Sequence, residues 1–192
     1  MTTETLSPDD EPTRRDMIHL LAGSVAAVGA AAVVWPLVSQ MNPDASVLAL
    51  SSTEVDLSAI PVGGAIKVIW QKKPVFIRRR TAEEIASAEA TNLAQVADSN
   101  ARNANLPGSA DASDENRREK AEWMIVVGVC THLGCIPLGT DDGDVRGDFN
   151  GWFCPCHGSH YDISGRIRKG PAPANLAVPP YEFLSDTRIK IG

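Results

Sequence analysis

The sequence predicts a mainly β protein: an antiparallel β head with one helical insertion, behind a single N-terminal transmembrane helix. Three observations predict it. A run without Asp, Glu, Lys or Arg extends from Met17 to Pro43, long enough to cross a hydrocarbon core of roughly 30 Å as a helix. The C-terminal third alternates short apolar runs with frequent Gly and Pro, the pattern of short strands joined by turns. Two short boxes, Cys130-Thr131-His132-Leu133-Gly134-Cys135 and Cys154-Pro155-Cys156-His157-Gly158-Ser159-His160, hold all four cysteines and three of the four histidines.

The anchor comes first. An uncharged run of this length argues against a buried soluble helix. Gly23, Ser24, Ala26, Ala27, Gly29 and Ala30 are small residues that allow close packing in lipid, and Trp35 suits the membrane interface. His19, near the helix end, is expected to face headgroups. Arg14 and Arg15 stand just ahead of the apolar run. Paired arginines there form a candidate twin-arginine export signal; positive-inside orientation is the simpler alternative. Both put the N-terminus in the cytoplasm and the residues after about 40 on the far side of the membrane. The one small-residue run, Ala30-Ala31-Ala32, would cut inside the apolar segment, so the segment reads as an uncleaved anchor rather than a removed signal. The expected organisation is a tail at 1–16, a transmembrane helix at 17–40, a connector at 41–52 and a head at 53–192.

Within the head, Ala65–Trp70 and Val75–Arg78 flank a turn at Gln71-Lys72-Lys73-Pro74, a hairpin pattern. Residues 81–97 are rich in Ala and Glu, and Thr81 with Glu84 stands at capping-box spacing, which predicts a helix. Residues 98–120 are polar and charged and read as an irregular surface excursion. Trp123–Val129 reads as a buried strand running into the first box. Tyr161-Asp162, a Ser164-Gly165 turn, Arg166-Ile167-Arg168, a loop at Gly170-Pro171-Ala172-Pro173 and two closing strands follow. The formal net charge of −6 argues against a nucleic-acid partner, since phosphate binding needs clustered Lys and Arg. The basic run Arg78-Arg79-Arg80 is expected to be a solvated strand end, with a lipid or partner contact as the sharper alternative.

The two boxes carry the chemistry. Cys-x-His and Cys-x-x-His each let two side chains of one tight loop reach one metal centre, with Gly134 and Gly158 supplying conformational freedom. That frame selects Cys130, His132, Cys154 and His157. Structural zinc accepts such a donor set, although zinc sites usually pair like ligands within a loop. Mixed loops also suit two irons, with the cysteines on one and the histidines on the other. Cys135 and Cys156 remain over. If both loops meet at a metal, these two can approach within disulfide range, and the oxidising side of a membrane favours that bond.

These motifs resemble the Rieske iron–sulfur subunits of bacterial cytochrome bc1 complexes, the ubiquinol–cytochrome c reductases. The resemblance extends beyond the boxes to Arg14-Arg15-Asp16, to Lys73–Thr81, to Asn100–Asn105 and to Gly165–Pro173. It implies a Rieske-type antiparallel β-sandwich head with a small cluster-binding subdomain at about 125–175, one [2Fe–2S] cluster, and a flexible neck at 41–52. It implies that ubiquinol bonds to His157 and yields it a proton, that one electron enters the cluster, and that it passes to a membrane-bound c-type cytochrome. Cytochrome b receives the second electron, and the complex is dimeric in the bilayer of a bacterial inner membrane, with the head periplasmic. Ser159 and Tyr161 are expected to tune the potential, Leu133 to shield the cluster, and Gly170, Pro171 and Pro173 to cover one side of it. His160 is left structural. One departure stands out. Twenty-one residues separate His132 from Cys154, and the surplus falls in the acidic stretch Thr140–Arg146, expected to be a lengthened surface hairpin.

Rival readings are a Rieske oxygenase domain or soluble ferredoxin, an exported Rieske subunit of another oxidoreductase, and, from a different class, a structural zinc module. The cysteine pair and the anchor argue against the oxygenase domain and the soluble ferredoxin. The neck and the helical insertion argue against the exported subunit of another oxidoreductase, and a zinc module would be colourless and redox-silent.

Overall fold

The structure, a computed structural model, describes residues 13–45, 47 and 51–192. The chain divides into two compact units, Met1–Leu48 and Ala49–Gly192.

The first unit is built on helix α1, Arg14–Ser39. Thr13 caps it. Its hydroxyl accepts from the Asp16 amide at 3.3 Å, and the Asp16 carboxylate accepts from the Thr13 amide at 2.8 Å, a reciprocal capping box that satisfies two otherwise orphaned donors. The helix therefore begins at Arg14, three residues earlier than the loss of charge suggested, and both arginines lie in its first turn. None of its residues is buried within the unit. The tail before residue 13 and residues 46 and 48–50 of the connector lie outside the described residues.

The second unit contains three antiparallel sheets of three strands each. In chain order the strands are β1 (Thr53–Asp56), β2 (Ala65–Trp70), β3 (Lys73–Arg79), β4 (Trp123–Val127), β5 (Asn150–Cys154), β6 (Ser159–Asp162), β7 (Ile167–Lys169), β8 (Tyr181–Ser185) and β9 (Arg188–Ile191), with helix α2 at Ala82–Glu89 between β3 and β4. The sheets are ordered β1-β9-β8, β2-β3-β4 and β5-β6-β7. One continuous core joins all three, including Leu57, Phe76, Ile77, Met124, Ile125, Trp152, Tyr161, Ile167, Leu176 and Ile189. Burying a side chain of this size contributes roughly 1.5–3 kcal/mol. Core and sheets are mainly aliphatic, in keeping with an aromatic content of 5 %.

The expected hairpin is present with a tighter turn. Trp70 pairs with Lys73, leaving Gln71 and Lys72 at φ 46° and 63°, the left-handed pair that a two-residue turn requires. Pro74 is tolerated because it lies opposite Ile69 and outside the β3–β4 register, which starts at Val75. The closing strands form as expected. Strand β1 was not foreseen: Thr-Glu-Val-Asp carries little apolar signal and becomes a strand by pairing with β9 from the far end of the chain.

Three expectations are corrected. The helix expected over 81–97 ends at Glu89, and a separate 3₁₀ turn at Leu93–Gln95 follows. The Asn92 side chain accepts from the Ala94 amide at 2.9 Å, competing with helical bonding as short polar side chains do. The basic run is no solvated strand end and no open contact surface. Arg78 pairs with Glu84 at 2.7 Å, Arg79 with Glu122 at 3.2 Å and Arg80 with Asp114 at 2.6 Å, and Arg78 and Arg80 are buried. Finally, the 98–120 excursion is only partly a surface feature. Ala101, Ala112, Asp114 and Arg117 are buried, because the segment lies against the sheets and supplies hydrogen bonds to the chain around Ser164 and Leu176.

Candidate metal centre

Each box is shaped by its own backbone before any long-range contact acts. In the first, the Cys130 amide donates to the Cys135 carbonyl at 2.7 Å and the Gly134 amide to the Cys130 carbonyl at 3.0 Å. Gly134 has φ 83°, a left-handed conformation that glycine adopts without a Cβ penalty. The second box is the loop of the β5–β6 hairpin. Cys154 pairs with Ser159 across it, and the Gly158 amide donates to the Cys154 carbonyl at 3.0 Å.

The folded loops bring the expected residues together. Cys135 and Cys156 form a disulfide between the boxes. Cys130 and Cys154 remain free thiols, each only 2 % exposed. The Cys154 sulfur lies within 4.8 Å of both disulfide sulfurs. The rings of His132 and His157 meet edge to face with centroids 4.6 Å apart. His132 Nδ1 is buried with no hydrogen-bond partner among the described residues, an arrangement that costs free energy unless a metal or water satisfies it. His157, in contrast, is exposed. Two buried thiols, one orphaned imidazole nitrogen and one exposed imidazole at the same place fit the mixed sulfur and nitrogen donor set of a two-iron centre.

Around this set lies a hydrogen-bonded frame. Tyr161, fully buried on β6, donates its phenol proton to Cys130 Sγ at 3.3 Å. Its oxygen accepts from the Thr131 amide at 3.2 Å. Burial pushes the Cys130 thiol up, but hydrogen bonds from Tyr161, the His132 backbone, Cys154 and Ser159 outweigh it, so Cys130 is held below the ordinary thiol range. Cys154 moves the other way, raised by burial and by its hydrogen bond to Cys130. Tyr161 is also raised, by burial first and then by its bond to Cys130. Ser159 is buried, and its hydroxyl oxygen accepts from the Ala172 amide at 3.2 Å.

The Pro loop closes over the second box. A Cβ on Gly170, at φ 103°, would stand 2.3 Å from the Gly158 carbonyl oxygen and 2.6 Å from the Ser159 Cα, so only glycine allows this backbone-to-backbone approach. The loop turns Ala172 into the core, while Pro171 and Pro173 face outward. Leu133, expected over the cluster, stands 71 % exposed at the tip of the first box, beside exposed Ile136. His160 is structural as read: its Nδ1 accepts from the Asp148 amide at 3.0 Å, and Phe149 and Phe153 flank its ring. The Thr140–Arg146 surplus is a turn in which the Asp144 carboxylate accepts from the amides of Gly139, Thr140 and Asp141. It is fastened by Asp141 to Lys67 at 2.5 Å and by Arg146 to Glu84 at 2.7 Å.

Sequence reasoning missed Thr131, which lies in the first box but between two ligand positions, and Asn175 just past the Pro loop. The Thr131 hydroxyl donates to the Ala174 carbonyl at 2.6 Å and accepts from the Ala174 amide at 3.3 Å. No spacing rule could have marked this pair, because its partners are joined only by folding.

A mainly antiparallel β head whose paired loops offer two cysteines, two histidines and a bridging disulfide defines a Rieske-type [2Fe–2S] protein. Residues 109–181 match the family model described as "Rieske [2Fe-2S] domain", and residues 5–44 match "Ubiquitinol-cytochrome C reductase Fe-S subunit TAT signal". The chain is 54 % identical over 186 residues to the ubiquinol–cytochrome c reductase iron–sulfur subunit of Rhodospirillum rubrum, covering 97 % of this chain and 95 % of that one. It is 50 % identical over 186 residues to the protein of the same name from Cereibacter sphaeroides, covering 96 % and 97 %. Among solved structures, a chain of a hyperthermophilic respiratory Complex III matches at 26 % identity and a TM-score of 0.47, over 90 % of this chain and 98 % of that one. The chain belongs to the family of ubiquinol–cytochrome c reductase iron–sulfur subunits, whose resident cofactor is a [2Fe–2S] cluster. The signal-region match and the one long apolar helix among the described residues fit a subunit anchored in a membrane by one span.

Proposed function

We propose that this chain takes one electron and one proton from ubiquinol and delivers the electron to a c-type cytochrome of the same membrane complex. The observation that carries the reading is the contrast between His157 and the rest of the donor set. Cys130 and Cys154 are buried and His132 is half-buried, while His157 is exposed, so it alone can meet a substrate directly. Cys130 and Cys154 would hold one iron, and His132 and His157 the other. When bound, the cluster supplies one-electron redox chemistry. The ring nitrogen of His157 that is left free accepts the hydrogen bond of a quinol hydroxyl and then holds its proton. Exposed Leu133 and Ile136 offer apolar surface beside it, suited to excluding water when the loop tips meet cytochrome b. Tyr161 steadies negative charge on the Cys130 sulfur, and Ser159 contributes from the second box, because hydrogen bonds to sulfur raise the potential. The quinol's second electron goes to cytochrome b.

The head stands on the periplasmic side of a bacterial inner membrane and the N-terminus in the cytoplasm, within a dimeric complex. The Cys135–Cys156 disulfide supports this orientation, since such bonds persist in oxidising compartments, and so do Arg14 and Arg15 at the start of α1. The connector at 41–52 acts as a tether that lets the head travel between its two partners. The test is spectroscopic. The purified protein should be red-brown, contain two irons, and give a rhombic electron paramagnetic resonance signal after reduction. A colourless preparation with one zinc would overturn the reading.

A further inference from the structure

The Pro loop is secured at one residue. Asn175 is fully buried and all of its polar atoms are engaged. Its amide donates to Asp98 Oδ2 at 2.9 Å, and its Nδ2 donates to the carbonyls of Asp98 at 2.9 Å and Asn100 at 2.8 Å. Its Oδ1 accepts from the Ile167 amide at 2.9 Å, and its carbonyl accepts from Arg102 at 2.7 Å. Asp98 is itself fixed, because its Oδ1 accepts from the Asn100 amide at 3.0 Å.

We infer that Asp98 and Asn175 are positioning residues for the hydrogen bond that Tyr161 gives the Cys130 sulfur, acting through Ala174 and Thr131. The inference rests on the metal-centre reading above. The tyrosine proton has two acceptors at the same distance: Cys130 Sγ at 3.3 Å and Thr131 Oγ1 at 3.3 Å. The outcome depends on whether the threonine oxygen is already occupied. In the folded head one of its two lone pairs is, since Thr131 gives its own proton to the Ala174 carbonyl and receives the Ala174 amide proton. The Thr131 amide also donates to the tyrosine oxygen, and because the threonine oxygen already accepts from Ala174, its remaining lone pair is the weaker acceptor and the phenol proton favours sulfur. Ala174 is held in that place by its neighbour Asn175, and Asn175 by Asp98. Releasing Asp98 lets Ala174 withdraw, frees the threonine oxygen as a competitor, and costs the sulfur its donor. Fewer hydrogen bonds to sulfur leave the reduced centre less stabilised.

The experiment uses the full-length, cluster-loaded protein. Asp98→Ala removes both side-chain acceptors. It should lower the midpoint potential and speed hydrogen exchange at the Ala174 and Asn175 amides. In a Tyr161→Phe background the same substitution should produce no further fall in potential, since the proton it redirects is gone. Asp98→Asn keeps the shape and one acceptor. It should give a smaller fall in the same direction, and it keeps the test available if the alanine protein folds poorly. An unmoved potential in both Asp98 variants, or the same fall with and without the tyrosine hydroxyl, would overturn the inference. A wild-type protein with no reduced-state resonance overturns the metal-centre reading as well; a normal wild-type resonance with either adverse result overturns only the positioning role.

Discussion

The two boxes differ in what holds them. The second is a hairpin loop, rooted in the β5–β6 ladder by the Cys154–Ser159 pair, so neighbours in sequence do most of the positioning. The first follows β4 as an irregular loop, closed locally by two backbone bonds and otherwise placed by distant residues: Tyr161, Ala174 and, through the disulfide, Cys156. The candidate ligands differ accordingly. His132 in the first box has a buried, unpartnered Nδ1, and His157 in the second is exposed. A site proposed both to hold a metal and to meet a substrate gains from this division. One loop is enclosed by long-range contacts, and the other presents its imidazole on a stiff local turn.

The strongest way to break this comparison is to cut the link between the boxes. Cys135→Ser leaves Cys156 unpaired across a separation of 21 residues, and closing a loop of that size stabilises a fold by roughly 3 kcal/mol. Denaturant unfolding should show a loss of that order, along with a lower midpoint potential while iron remains bound. An unchanged potential in both Cys135→Ser and Cys156→Ser would count against the disulfide as a support of the centre.

Gly170→Ala tests the second box from outside. The added Cβ meets backbone at 2.3 Å from the Gly158 oxygen in a left-handed conformation, so strain and overpacking together should cost about 1–3 kcal/mol. Ala at this position without a measurable loss of stability in the same assay would refute the close approach.

A third test reaches the turn that follows β6. Asp114 accepts from Arg80, Arg118 and Ser164. Burial raises its carboxyl, but these partners prevail and bring it from 3.8 down to about 2. A carboxyl depressed by folding contributes stability above its unfolded value and loses it as pH falls through its folded value. About 2 kcal/mol should therefore be present above pH 4 and disappear progressively between about pH 4 and pH 2. Acid titration of stability should show a shallower fall in this window for Asp114→Asn, which starts less stable because buried Arg80 loses its counter-charge and half-buried Arg118 keeps only Glu89.

The smallest effect lies between the boxes. Asp141→Asn removes the pair with Lys67 from a mostly exposed turn, and exposed pairs contribute under about 1 kcal/mol. Thermal unfolding should move little and the resonance of the reduced protein should not change. A large change in the resonance would mean that the acidic turn helps present the first box.

Much of this was legible beforehand because it follows from local rules. The charge-free run, the capping box at Thr81, the β2–β3 hairpin and the spacing of Cys130, His132, Cys154 and His157 all depend on residues a few positions apart. Apart from the overlong helix over 81–97, which Asn92 breaks locally, the errors share one cause, a partner distant in sequence. Arg78-Arg79-Arg80 looked solvated because Glu84, Glu122 and Asp114, which neutralise them, lie on other elements. The 98–120 segment looked peripheral because polar composition usually marks surface, yet here Arg117 is fully buried and donates to the carbonyls of Ser164, Ala101 and Leu176. β1 was invisible because its partner β9 is far along the chain.

The sequence by itself pointed to the membrane anchor, the mainly β head and the four candidate donor side chains, since length, hydropathy and ligand spacing are properties of neighbouring residues. Only the tertiary structure decided which histidine faces outward, that Tyr161 reaches the Cys130 sulfur, and that Asp98, Asn175, Ala174 and Thr131 form one hydrogen-bonded chain beneath it. Those contacts join residues that are dozens of positions apart, and a hydrogen bond is settled by distances of a few ångströms that no spacing along the chain specifies.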